Sequence, residues 1–261
     1  MAEGYNPDHF QAFHEVETRH FWFTARNNAL HALIAPAMRD LAPGYRVLEI
    51  GCGTGNTLRM LERACPGGRV VGMDLYGEGL QYARRRTRVP LVQGRMEHPP
   101  FATRFDVVGL FDVLEHIDND RAALAQIHGL LEPEGRVVLT VPASRVLWSR
   151  FDEEAHHCRR YESDELGRKL SDAGFRVEYL TPFMAALYPV VRVARYVSDA
   201  MRARGRASGR GEASAVLDQI KVRPGLNAIM AALLGPEARV VARRWRLPIG
   251  TSLLALARRQ P

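Results

Sequence analysis

Only three cysteines, Cys52, Cys65 and Cys158, occur in the 261 residues. An odd, scattered set cannot build a disulfide framework and fits reduced thiols in the cytosol. No stretch reaches the ~18 uninterrupted apolar residues of a spanning helix. Residues Met1 to His20 lack an apolar core and a small-residue cleavage site, so a cytoplasmic location is expected rather than secretion. The dinucleotide fingerprint G-x-G-x-x-G is missing too. The sixth position counted from Gly51 is Asn56, and from Gly53 it is Leu58, which disfavours a nicotinamide-dependent oxidoreductase.

Hydrophobic residues make up 46% of the chain, ample for a packed core and against global disorder. The formal charge of +7 favours anionic partners such as nucleic acid, phosphorylated substrates or a membrane face. Much of the excess is arginine after residue 190, and a solvated arginine-rich surface is the alternative.

Strand and helix patterns alternate. Strands are expected at 46–50, 69–73, 90–93, 105–110, 135–141 and 176–180, with a last one at 251–257. Helices are expected at 28–39, 56–64, 80–86, 120–131 and 163–173. This alternation predicts a doubly wound α/β domain with a mostly parallel sheet and right-handed crossovers. Residues 1–40 form an aromatic and helical leading segment, and 41–181 with 250–261 form the α/β domain.

Glu49-Ile-Gly51-Cys52-Gly53-Thr-Gly55 follows the first strand directly and precedes a helix that starts at Asn56. Glycines there let the backbone turn sharply and approach a ligand. Asp74 ends the second strand at the spacing expected of a carboxylate that holds ribose hydroxyls. Phe111-Asp-Val-Leu-Glu-His116 follows the fourth strand. Together these motifs resemble the class I S-adenosylmethionine-dependent methyltransferases, in particular the small-molecule branch with its D-V-L-E-H signature. The resemblance covers about Trp22 to Leu180 and the final strand. It implies a seven-stranded Rossmann-like sheet and S-adenosylmethionine as cofactor, held by Glu49, Gly51, Cys52, Gly53, Gly55 and Asn56. Asp74 and Leu75 would hold the ribose, and Arg95 and Met96, in the turn Gln93-Gly-Arg-Met-Glu97, would lie by the adenine. Phe111 would pack near the cofactor and His116 would face the reaction centre, unless it only caps the following helix. The family's DNA amino-methylating motif and a Pro-Cys nucleophile are both absent, which counts against nucleic acid as the acceptor and leaves RNA ribose as the exception.

The loop after the fifth strand carries Trp148, Asp152, His156, His157, Cys158, Arg160 and Tyr161. It resembles a W-x₃-D-x₄-H-x-R-R-Y pattern of a methyltransferase subfamily that stands beside sugar and lipid-carrier enzymes. His157 is the candidate base, oriented by Asp152, with Arg160 and Tyr161 holding a polyhydroxy or anionic substrate and Trp148 beside them. A salt-bridged structural turn is the alternative. A metal site from Asp152, His156, His157 and Cys158 is weighed and set aside, because adjacent histidines seldom point the same way. In the N-terminal segment, Arg26 would pair with the cofactor carboxylate and Trp22 would wall the pocket, or both would simply staple that segment to the sheet.

About seventy residues separate Leu180 from Thr251, far more than a hairpin needs. Residues 182–249 therefore read as a helical insertion: a cap, a dimer element, or a peripheral membrane patch through 182–202. Within it, 203–215 reads as a flexible loop. The function expected is methyl transfer to an oxygen or nitrogen of a small-molecule, sugar or lipid-linked acceptor. A non-catalytic cofactor-binding regulator is the other reading.

Overall fold

The computed structural model describes residues 9–203 and 215–260. Two helices lead, α1 (His9–Val16) and α2 (Phe21–Ala37). α2 starts seven residues before the predicted boundary, because His20 Nδ1 accepts a hydrogen bond from the Trp22 N–H and caps the helix there. The chain continues as β1 (Arg46–Ile50), α3 (Asn56–Ala64), β2 (Arg69–Asp74), α4 (Gly77–Ala83), β3 (Leu91–Gln93) and β4 (Phe105–Phe111). A short 3-10 turn (Leu114–His116) leads to α5 (Asp120–Leu130) and β5 (Leu131–Pro142). A second turn (Arg145–Leu147), α6 (Arg150–Glu154), α7 (Ser163–Asp172) and β6 (Phe175–Phe183) follow.

The sheet has seven strands in the order β3-β2-β1-β4-β5-β7-β6, where β7 is Ser252–Arg259. The first five pair in parallel, and β7 runs antiparallel between β5 and β6. Strands β1 and β4 are buried at every residue except Arg46 and Asp106, as expected of strands covered on both faces. From β1 the chain winds outward through β2 and β3, then returns to place β4 on the other side of β1. Such a reversal opens a crevice at the carboxyl ends of the two central strands.

Between β6 and β7 lie α8 (Leu187–Ala203), α9 (Ala215–Ile220), α10 (Pro224–Leu234) and α11 (Glu237–Ala242). Within the expected helical insertion, α10 and α11 are separate helices because Gly235-Pro236 lies between them; proline has no N–H to continue the ladder. Met230, Leu234 and Val241 share one apolar core with Ala29, Leu33 and Ile34 of α2. Glu237 accepts hydrogen bonds from the N–H groups of Met184 and Ala185, pinning the start of this segment to α11. Asn227 accepts from the Phe21 N–H at 2.8 Å and donates to the Arg19 carbonyl at 3.0 Å, tying α10 to the N-terminal segment. Most of the expected flexible loop, 204–214, lies outside the described residues.

Candidate active site

A cavity of about 1040 Å³ opens at the carboxyl ends of β1 and β4. That is the upper end of the roughly 300–1,000 Å³ typical of ligand sites, room for a cofactor and a second molecule. One half is built by the loop after β1. Gly51 and Gly53 both have positive φ, which side-chain-bearing residues adopt only with strain. A Cβ on Gly51 would meet Val113 at 2.3 Å, whereas one on Gly53 would meet nothing closer than 3.9 Å, so the backbone at Gly53 is open to a ligand.

Polar groups converge on this half. Glu49 is buried beneath the loop, and its Oε2 has no hydrogen-bond partner. Burial pushes its carboxyl well above the usual range, against the pull of the Arg26 guanidinium. Arg26 ion-pairs with Asp112 at 2.5 Å, donates to Thr57 at 2.8 Å and lies over the Trp22 ring at 5.1 Å. The Arg26 Nε and the Asn56 Nδ2 are buried without partners. Asp74 accepts from the Gly53 N–H at 2.7 Å and the Tyr76 N–H at 2.8 Å. Burial raises its carboxyl, while those backbone donors pull it back down. Phe111, Leu75, Met96 and the exposed Arg95 complete this wall.

The other half is a histidine cluster. The 3-10 turn after β4 carries Glu115 and His116, and the loop after β5 brings in His157. His157 Nδ1 lies 2.9 Å from Asp152 Oδ1. Asp152 is fully buried at 0% exposure and also accepts from Arg160 Nε at 2.8 Å and the Ser149 N–H at 2.9 Å. Burial works to raise its carboxyl, but the bonds from His157 and Arg160 hold it below the usual range. With Nδ1–H assigned toward Asp152, the His157 lone pair sits on Nε2. His116 meets His157 edge to face, and burial first and His157 second lower it to about 3, so it is neutral at pH 7. Glu115 is 1% exposed, its Oε2 unpartnered, and burial raises it well above the usual range. Ligand atoms of Glu115, His116 and His157 lie within 4.8 Å of one another, a different set from the four residues weighed in the sequence.

The family model for the methyltransferase domain matches residues 19–180, from the start of α2 to β6. The chain belongs to the methyltransferase domain family. It is 31% identical over 198 residues to a 37.1 kDa protein of transposon TN4556 from Streptomyces fradiae, covering 69% of this chain and 57% of that one. The mitochondrial ubiquinone biosynthesis O-methyltransferase of Schizosaccharomyces pombe is 31% identical over 121 residues, 43% of each chain. The chain thus spans about half the length of these curated relatives. Among solved structures, a methyltransferase in complex with the Haloferax volcanii Trm112 activator superposes with a TM-score of 0.60 at 21% identity, covering 97% of this chain and 98% of that one. The fold is the Rossmann-like fold of class I S-adenosylmethionine-dependent methyltransferases, and the cofactor is S-adenosylmethionine. The half-cavity around β1 fits it: a glycine cradle, the buried and unpartnered Glu49 Oε2 and Arg26 Nε, and a strand-end Asp74.

Four expected site residues stand elsewhere. Tyr161 is wholly buried, and its hydroxyl donates to Asp120 Oδ2 at 2.9 Å, so it braces α5 against β5 instead of touching substrate. Trp148 is exposed and lies outside the cavity. Gly55 is also outside it; a Cβ there would come within 3.0 Å of Ala83, so this glycine lets α3 approach α4. Asp152 is a positioning residue rather than a catalytic one, because no part of it faces the cavity. Arg160 does line the cavity, where its Nε donates to Asp152 and one further N–H to the Ala143 carbonyl. Asn119, not His116, caps α5.

Sequence reasoning left out the cover over the cofactor half. Phe10 of α1 reaches the glycine loop and Gly79, while Glu17 takes hydrogen bonds from Thr54 and Arg86. The aromatic cluster at Phe10 and Phe13 was the available signal. Glu115 was missed although it adjoins His116. So were Leu187, Val191, Val216 and Ile220, which the helices after β6 bring to the cavity.

Proposed function

We propose that the chain transfers a methyl group from S-adenosylmethionine to an oxygen or nitrogen of a small-molecule, sugar or lipid-linked acceptor, with His157 taking the acceptor's proton. The observation that carries this reading is the single cavity that joins the glycine loop and Asp74 to the His116–His157 pair. When bound, S-adenosylmethionine supplies an electrophilic methyl group on a sulfonium. Arg26, Glu49 and Asn56 would hold its amino acid end and Asp74 its ribose hydroxyls.

Methyl transfer demands an aligned nucleophile that can lose its proton. The Asp152 carboxylate fixes the His157 ring and its tautomer, leaving Nε2 to accept a proton from an acceptor hydroxyl or amine. The same carboxylate then stabilises the imidazolium that forms, as a buried anion next to a new cation. His116, neutral at pH 7, adds no competing positive charge. O-methyltransfer in the name of the ubiquinone relative agrees with an oxygen acceptor.

Calorimetry with S-adenosylmethionine, S-adenosylhomocysteine and NAD tests the cofactor half: sulfonium and thioether binding without NAD binding is expected, and the reverse overturns the reading. Radiolabelled methyl groups followed into the small-molecule and lipid fractions of a cell extract test the transfer. Label incorporation that His157→Ala removes is expected; no label with the wild type sinks it.

A further inference from the structure

The segment between β6 and β7 holds the chain's positive charge. Residues 184–250 carry twelve Lys and Arg against four Asp and Glu, a net of +8, while the remainder carries twenty-four against twenty-five, a net of −1. The described part of this segment also carries an apolar surface. α8 has two faces: Leu187, Val191 and Arg195, four residues apart, line the cavity. Val190, Val193 and Val197, at the i, i+3, i+7 spacing of another stripe, are exposed. Val193 is 62% and Tyr196 68% exposed, and Arg192 stands in solvent beside them. α8 packs beside the 3-10 turn Arg145–Leu147, where Val146 and the following Trp148 are also exposed.

We propose that this face docks on an anionic phospholipid bilayer and that the acceptor is an amphiphile taken from it. The proposal rests on the methyltransferase reading above and names the acceptor's class. Exposed valines with Tyr196 and Arg192 on α8, beside the exposed Trp148 of the neighbouring turn, suit a helix lying in the headgroup plane. A net of +8 in one segment is drawn to anionic headgroups. No helix among the described residues is long and apolar enough to cross a membrane, so the contact is in-plane. The inner face of α8 continues the same chemistry: its Leu187 and Val191, with Val216 and Ile220 of α9, give the cavity an apolar wall that suits an acyl or prenyl body, with its nucleophile at His157.

A second copy of the chain fits this face less well. A two-fold interface sets a patch against itself, which would bring Arg192 and its basic neighbours onto their own copies. Nucleic acid would use the arginines but has no use for a stripe of valines.

The test is co-sedimentation of the full chain with vesicles of phosphatidylcholine, with and without one-third phosphatidylglycerol. Binding is expected to the anionic vesicles and to be roughly tenfold weaker on the neutral ones and in high salt. The double variant Val193→Asp, Val197→Asp is expected to lose roughly tenfold of that binding, while its S-adenosylhomocysteine affinity and unfolding midpoint match the wild type. Equal sedimentation of variant and wild type, or none by either, overturns the proposal. So does a wild-type dimer in analytical ultracentrifugation that the two aspartates dissociate, or RNA binding without vesicle binding. Wild-type protein that sediments with vesicles yet fails to bind S-adenosylhomocysteine overturns the methyltransferase reading instead, and with it the delivery of an acceptor.

Discussion

The rings of His116 and His157 stand 4.8 Å apart between centroids, edge to face, although one follows β4 and the other the loop after β5. Their surroundings separate their roles. His157 has a buried carboxylate fixing its orientation, and His116 is surrounded by groups that keep it neutral.

The first prediction follows from that difference. His157→Ala is expected to lower turnover ~10²–10⁴-fold, the usual contribution of a positioned base, with cofactor affinity nearly unchanged. Asp152→Asn should lower kcat with KM little changed, because it disturbs the tautomer rather than a substrate contact. Steady-state kinetics with the acceptor that takes the label decide it. Normal turnover in His157→Ala with none in His116→Ala reverses the assignment.

Protonation of His116 makes stability depend on pH. Folded, the ring is lowered to about 3; unfolded, it takes a proton near the ordinary 6.5. Between those values the unfolded chain binds the extra proton, so this contribution is fully present above about pH 6.5 and is lost as pH falls toward 3. Burial lowers His14 and His20 in the same sense, while the raised Glu49 and Glu115 act in the opposite one. The difference between wild type and His116→Asn isolates the ring. Denaturant midpoints of the variant should fall less steeply between about pH 6.5 and 5, and parallel slopes would contradict the neutral assignment.

The parallel sheet and the cofactor loop were legible because their signals are local. Gly51 to Gly55 sit between a buried strand and a helix start, and α3 begins and ends where its sequence pattern does. The errors came where partners are distant in sequence. Nothing near Tyr161 marks it as core, since its hydroxyl partner Asp120 lies on another helix and its ring is enclosed by elements the chain reaches only on folding. The cover by α1 was hidden for the same reason: Glu17 finds Thr54 and Arg86 across the pocket. Trp148 and Tyr161 share one motif with His157 yet face three different environments, because α6 intervenes between Trp148 and His157 and the chain then returns to pair Tyr161 with Ala143 just past the end of β5.

Tyr161→Phe tests the structural place of that residue. Removing a buried hydroxyl that donates to Asp120 should cost ~0.5–1.5 kcal/mol of folding stability, somewhat more if the charged acceptor is left short of a donor. Lys169, 2.5 Å from the same oxygen, limits that excess. Cofactor affinity and KM should stay at wild-type values. A raised KM with unchanged unfolding would return Tyr161 to the substrate site.

Asp74 carries the sharpest prediction for the cofactor half. Its carboxylate already accepts from two backbone N–H groups, which hold the strand end and the glycine loop together, and it lines the cavity. Each carboxylate oxygen keeps acceptor capacity for a further donor. Asp74→Ala removes both functions, so two readouts are needed. Calorimetry with S-adenosylhomocysteine should show affinity weakened by ~1.5–3 kcal/mol, the range for a hydrogen bond to a charged group. Denaturation should show a separate loss from the freed Gly53 and Tyr76 N–H groups. Asp74→Asn keeps one carbonyl oxygen and should recover part of the affinity. If Asp74→Ala unfolds more easily yet binds S-adenosylhomocysteine at full strength, the carboxylate is only a brace for the loop, and the ribose contact belongs to another group on the cavity wall.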